Sequence, residues 1–81
     1  MKARVHVSLK PSVLDPQGQT ISKALRSLGH AEILSVRQGK YFDIELDSAV
    51  SKETVAKNLE SISAEVLSNP VIEDFQIEIL D

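Results

Sequence analysis

The order in which two hydrophobic periods follow one another constrains this chain more than any single residue does. Residues 2 to 9, KARVHVSL, alternate: Ala3, Val5, Val7 and Leu9 share one side, and Lys2, Arg4, His6 and Ser8 the other. A period of two describes a strand with one buried face. In PQGQTISKALRSLG the period lengthens. Ile21, Ala24, Leu25 and Leu28 fall at i, i+3, i+4 and i+7, one stripe of a helix. Asp15 is placed to cap that helix, Pro16 suits its first turn, and Gly29 suits its end. The spacing then predicts a strand over 31–39 with Leu34 and Val36 inward, and a tight hairpin turn at Gly39-Lys40. YFDIELD follows as a strand, with Phe42, Ile44 and Leu46 inward and Tyr41, Asp43 and Glu45 outward. Ser51 caps a second helix running through about Ser68, striped by Val55, Leu59, Ile62 and Val66. Asn69-Pro70 ends it, because proline disfavours a helical residue before it. VIEDFQIEIL is the last strand, with Phe75, Ile77 and Ile79 inward.

Strand, helix, strand, strand, helix, strand, with no linker or repeat between them, predicts one domain over residues 1–81. Its fold class is α+β, the ferredoxin-like βαββαβ plait: a four-stranded antiparallel sheet with two helices on one face. The edge strands of such a sheet are the second and the last. The last is long and free of proline after Pro70, so the sequence predicts a homodimer, or a dimer of dimers, that pairs this edge with its symmetry mate. Phe75, Ile77, Ile79 and Leu80 would lie near that interface.

A chain of 81 residues buries only about 60–65% of the surface it exposes when unfolded. With no cysteine and no metal-ligand cluster, neither disulfides nor a structural metal adds to its core, and self-association is a natural supplement. Net charge is −3 and the pI is near 5.3, so attraction to phosphate backbones is not expected. Tyr41 is the one aromatic side chain on the open face of the sheet, where RNA readers on this fold stack bases, so no nucleic-acid partner is expected. The chain enters a strand pattern directly after Met1-Lys2 and has no long apolar run. The expectation is a cytoplasmic protein with no membrane contact.

No catalytic constellation stands out. His6 and Ser8 are neighbours on one side of a strand, about 7 Å apart, too far for a nucleophile–base pair. They read as ordinary strand residues on an open face where Arg4, Arg37, Asp43, Glu45 and Glu78 pair across the ladder. His30 follows a helix stop and reads as a loop residue. The crossing LKPSVLDPQG holds two of the three prolines, yet it has a single glycine and lacks the spacing of a phosphate loop. Asp15, as the cap, would also repel an anion there. Gly18 has no obvious helical role, and a close backbone approach by a partner would account for it. Lys10, Arg37 and Lys40 converge as a small basic patch suited to an acidic partner surface.

VSLKPSVLDPQGQTISKALRSLG followed by ILSVRQGKYFDIEL resembles the PurS family of phosphoribosylformylglycinamidine synthase subunits over nearly the whole chain. The segment with LK, VLDPQG and AL..LG in register is the more specific part. The resemblance implies a non-catalytic subunit of a carbon–nitrogen ligase in de novo purine biosynthesis. Its partners would be the glutaminase PurQ, which releases ammonia from glutamine, and the synthetase PurL, which activates formylglycinamide ribonucleotide with ATP. The subunit would bridge the two and assist ammonia transfer. No cofactor would be bound by this chain, and ATP and Mg would sit on PurL. Docking to these partners falls, in this reading, on Lys10, Pro11, Asp15, Gln17, Gly18, Arg37 and Lys40. Two other classes share the plait. An ACT-like module would bind a small effector near Gly18 at a dimer interface. An acylphosphatase-type enzyme would need an arginine in a phosphate-cradling loop, where this chain has lysine and an acid.

Overall fold

The computed structural model describes residues 1–80. Three strands and two helices form as the periods dictate: β1 Lys2–Leu9, α1 Pro16–Ser27, β2 Gly39–Glu45, α2 Lys52–Ile62 and β3 Glu73–Leu80. The strands make one antiparallel sheet in the order β2-β1-β3. The central strand carries the small β-branched residues that such a position favours. Val5 lies opposite both Phe42 and Ile77, and Ala3 opposite Ile44 and Ile79. Val5, Val7 and Ala3 are all buried. α2 lies over this face, where Val55 and Leu59 pack on Ala3 with Met1, Ile44, Leu46 and Ile77 around them. Ser51 caps α2 by accepting from the Thr54 amide at 3.3 Å.

The predicted four-stranded sheet with both helices on one face is corrected to three strands with one helix on the face. Residues 33–38 form no ladder, and Leu34, expected inward, is 82% exposed. Gly39 and Lys40, expected to turn, are instead the first residues of β2, opposite Ser8 and Val7. The chain therefore runs straight from 33 to 45. One reason lies in register. A two-residue turn at Gly39-Lys40 would set Arg37 opposite Phe42, and directly opposite residues share a face. Phe42 lies opposite the buried Val5. That turn would thus drive Arg37 and Ser35 to the core face and Leu34 and Val36 to the solvent face, the full inversion that a one-residue slip causes.

α1 leaves the body with this segment. No α1 side chain joins the core cluster, and its apolar stripe stands open: Ile21 is 40% and Leu28 76% exposed. α1, the turn after it and residues 33–38 form an arm, tied lengthwise by Arg26, whose guanidinium donates to the carbonyls of Ile33 and Leu34. The molecule measures 51 × 27 × 14 Å, and its radius of gyration is 16.3 Å. A compact chain of this length has about 12 Å. The edges of the sheet are accordingly β2 and β3.

The second helical run also departs from an even stripe. After Ile62 the chain takes a π-helical turn, Ser63–Leu67. Ser63, one turn beyond Leu59 and two beyond Val55, is fully buried on their line, as plain helical spacing gives, while Ile62 and Val66, both expected on the core stripe, are 42% and 75% exposed. The π-helical turn closes locally: Ser68 donates through both its amide and its hydroxyl to the Ser63 carbonyl.

Candidate assembly site

The loop after β1 and the segment before β2 cross at one corner of the sheet, and the crossing is built around Asp15. This residue is the N-cap of α1, and its Oδ1 accepts from the Gly18 amide at 3.0 Å. Its other oxygen, Oδ2, accepts from the Gln38 amide at 2.7 Å. One carboxylate thus holds the start of α1 and the start of β2 together. Asp15 is buried, only 4% exposed. The two amides, Gln38 first and Gly18 second, hold its carboxyl below the ordinary value of 3.8, since both bonds favour the charged form.

Around that point the backbone is held from several sides. Arg37 Nη2 donates to the Lys10 carbonyl at 3.0 Å and the Val13 carbonyl at 2.9 Å. The Gln38 side chain donates to that of Gln17. Gly18 answers the question its sequence position raises. A Cβ there would collide with the Val36 carbonyl oxygen and the Asp15 carboxylate, so glycine permits the arm's own return segment, not a partner, to pass.

All of the residues predicted for docking gather at this corner. Lys10 Nζ bonds Asp74 at 2.8 Å, and its amide donates to the Ile72 carbonyl. Lys40 Nζ lies 3.8 Å from Glu73 and over the Phe42 ring. Pro11 sits exposed in the turn after β1. The basic patch is therefore balanced within the chain: each lysine faces an acid of β3, and Arg37 is spent on backbone carbonyls. Gln38 was not legible as a site residue, because it acts through its backbone amide, which every residue but proline has. Phe75, Ile77, Ile79 and Leu80 lie on β3, along the other edge of the sheet, partly buried.

The open face of the sheet is paired across its strands. Arg4 bonds Asp43 at 2.7 Å and lies 4.5 Å over the Tyr41 ring. That hydrogen bond raises the Arg4 pKa and lowers that of Asp43. His6 faces Glu78 at 3.4 Å, and His30 lies 3.4 Å from Glu32 in the turn after α1. No helix among the described residues is long and apolar enough to cross a membrane.

The family model described as phosphoribosylformylglycinamidine (FGAM) synthase, PurS, matches residues 2–81. A PurS subunit of Mycobacterium leprae is 49% identical over 76 residues, spanning 94% of this chain and 91% of the relative. The chain belongs to the PurS family. The likeness extends to the fold. The crystal structure of Methanocaldococcus jannaschii PurS, described as one of the subunits of formylglycinamide ribonucleotide amidotransferase in the purine biosynthetic pathway, superposes with a TM-score of 0.84. That match has 38% identity and covers 95% of this chain and 92% of that one. A chain in the structure of PurLQS from Thermotoga maritima superposes with a TM-score of 0.87 at 29% identity, covering 98% and 95%. Both superpositions extend over almost the full length of this chain.

Proposed function

We propose that this chain acts, as one domain over residues 1–81, as the non-catalytic PurS subunit of phosphoribosylformylglycinamidine synthase. It stands between the glutaminase PurQ and the synthetase PurL in the cytoplasm. The observation that carries this reading is the near-complete superposition on a chain of the PurLQS structure, TM-score 0.87 over 98% of the chain. The chemistry gives such a subunit a purpose. Ammonia released from glutamine is protonated in water near neutral pH and then no longer attacks the activated amide of formylglycinamide ribonucleotide. Well-packed surfaces that hold the two active sites together keep water out of the transfer. ATP and Mg belong to PurL, where the amide is activated, and the docking surface is the corner presented by Lys10, Pro11, Gln17, Arg37 and Lys40, with the buried Asp15 and Gly18 holding it in shape beneath.

Self-association is part of the same reading. No strand of this chain lies beside β2 on its outer side, and residues 33–38 of the 31–39 segment that the sequence assigns to that place extend away with α1. A second copy supplies what is missing if the two exchange arms about a two-fold axis, each return segment lying beside the other copy's β2. Charge favours it: the arm, 16–38, holds Lys23, Arg26 and Arg37 against Glu32, so it carries +2, and the remainder of the −3 chain carries −5. The outer edge of β3, with Phe75, Ile77, Ile79 and Leu80, is then left for pairing dimers into a dimer of dimers.

Co-purification tests the assignment. Tagged chain mixed with PurL and PurQ, with glutamine and ATP present, is expected to elute as one complex with both. Elution of PurL and PurQ apart from it would overturn the reading.

A further inference from the structure

Exchange of arms invites the question of why the chain does not close its own sheet. Doing so requires residues 33–38 to fold back along β2 through a short turn near Gly39. The two-residue turn at Gly39-Lys40 inverts the faces of Leu34, Val36 and Arg37. A three-residue turn over 38–40 restores them: Arg37 then lies opposite Tyr41, Val36 opposite Phe42 and Leu34 opposite Ile44, all on matching faces. That turn has to take Gln38 into its loop and lift Gly39 and Lys40 out of their pairing with Ser8 and Val7.

Gln38 is where the chain is held. Its amide is bound at 2.7 Å by Asp15 Oδ2 in a part-buried contact. Its side chain meets Gln17, and the preceding residue, Arg37, is anchored on the carbonyls of Lys10 and Val13. The hold sits directly before the ladder, since Gly39 already pairs with Ser8. No residue is left between the two to form a turn.

We propose that residues 37–40 are an exchange lock. Register forbids the two-residue turn, Asp15's hold on Gln38 forbids the three-residue one, and the chain must therefore take its fourth strand from a second copy. Asp15 is then a positioning residue that sets the oligomeric state. The inference rests on the arm-exchange reading and adds to it the reason the exchange is obligatory.

The lock can be bypassed by one inserted residue. An asparagine placed between Gln38 and Gly39 creates an Asn-Gly pair, the favoured sequence for a two-residue type I′ hairpin. Gln38 then lies opposite Lys40, Arg37 opposite Tyr41, Val36 opposite Phe42 and Leu34 opposite Ile44. The faces are correct, and Gln38 need not enter the loop. Light scattering after size-exclusion chromatography is expected to give a multiple of the chain mass for the wild type and half that mass for the insertion variant, which loses the arm exchange but keeps the β3 edge. The variant should keep its circular dichroism and cooperative unfolding. A wild-type oligomer with an insertion variant of unchanged mass overturns the lock alone. A wild-type monomer overturns the exchange reading and the lock with it. If the insertion variant does not unfold cooperatively, Asp15→Ser decides. Serine still caps α1 but has one oxygen and cannot hold both amides. The lock predicts a dimer dissociation constant raised by about tenfold or more, and an unchanged constant overturns it.

Discussion

Gly18→Ala separates local propensity from the packing of the arm. In an exposed helix the change is stabilising, because alanine is favoured over glycine by up to about 1 kcal/mol. The surroundings of Gly18 reverse the sign. The new Cβ would meet a backbone carbonyl, that of Val36, which cannot rotate aside as a side chain can. It would also press on the carboxylate that accepts the Gly18 and Gln38 amides. Overpacking of this kind costs about 1–3 kcal/mol, and contact with fixed backbone belongs to the upper half of that range. Set against the propensity gain, a net loss of about 1–2 kcal/mol is expected. For a domain of this size each 1 kcal/mol moves Tm by about 4–8 °C, so the variant should melt about 4–16 °C below the wild type. Thermal unfolding followed by circular dichroism, both proteins at one concentration because association shifts Tm, measures this directly. A variant that melts at or above the wild-type temperature refutes the close approach of α1 to the return segment.

Leu59→Ala should cost about 2–5 kcal/mol in urea unfolding, because Leu59 is 1% exposed and lies at the centre of the α2 contact. A loss under about 1 kcal/mol would move the core elsewhere. Lys10→Ala removes one exposed pair, Lys10–Asp74, and should change stability by only about 0.2–1 kcal/mol; a larger loss would mean the corner depends on that charge. Acid titration tests Asp15. Its folded-state pKa is lowered, so its contribution is present above the ordinary 3.8 and is lost as pH falls through the folded value. The stability gap between wild type and Asp15→Asn should therefore narrow as pH falls below about 5 and through the lowered folded value. A gap that stays constant would show that the charge of Asp15 is not what holds the crossing.

Much of the fold was legible because it depends on local rules. The alternation of Ala3, Val5 and Val7 marked the central strand, and Asp15 and Ser51 marked both helix starts by their capping chemistry. The misplaced segment, 31–39, has strand-like alternation, but alternation does not say which sheet a strand joins. That depends on register with β2, where the parity of a short turn decides, and on a second copy that one sequence does not display. Gly39-Lys40 looked like a turn for the same reason: glycine permits one, but here it permits close passage, with Val7's carbonyl oxygen only 3.0 Å from where a Cβ would stand. The candidate site was half legible. Gly18 was marked as needing a close backbone approach, and the neighbour turned out to be Val36 of the same chain. Lys10 and Lys40 were read as free cations because the acids that meet them, Asp74 and Glu73, are far away in sequence. The π-helical turn at Ser63 carries no residue signal, since it differs from the α-helix only in which carbonyl each amide meets.

The central claim is that this chain couples two partner active sites and performs no chemistry itself. The most direct test compares amidine synthesis by PurL and PurQ with ATP, with and without this chain, using glutamine or added ammonia as the nitrogen source. The expected result is that omitting the chain abolishes the glutamine-dependent rate, while a high concentration of ammonia still supports synthesis. An undiminished glutamine-dependent rate without the chain would contradict it.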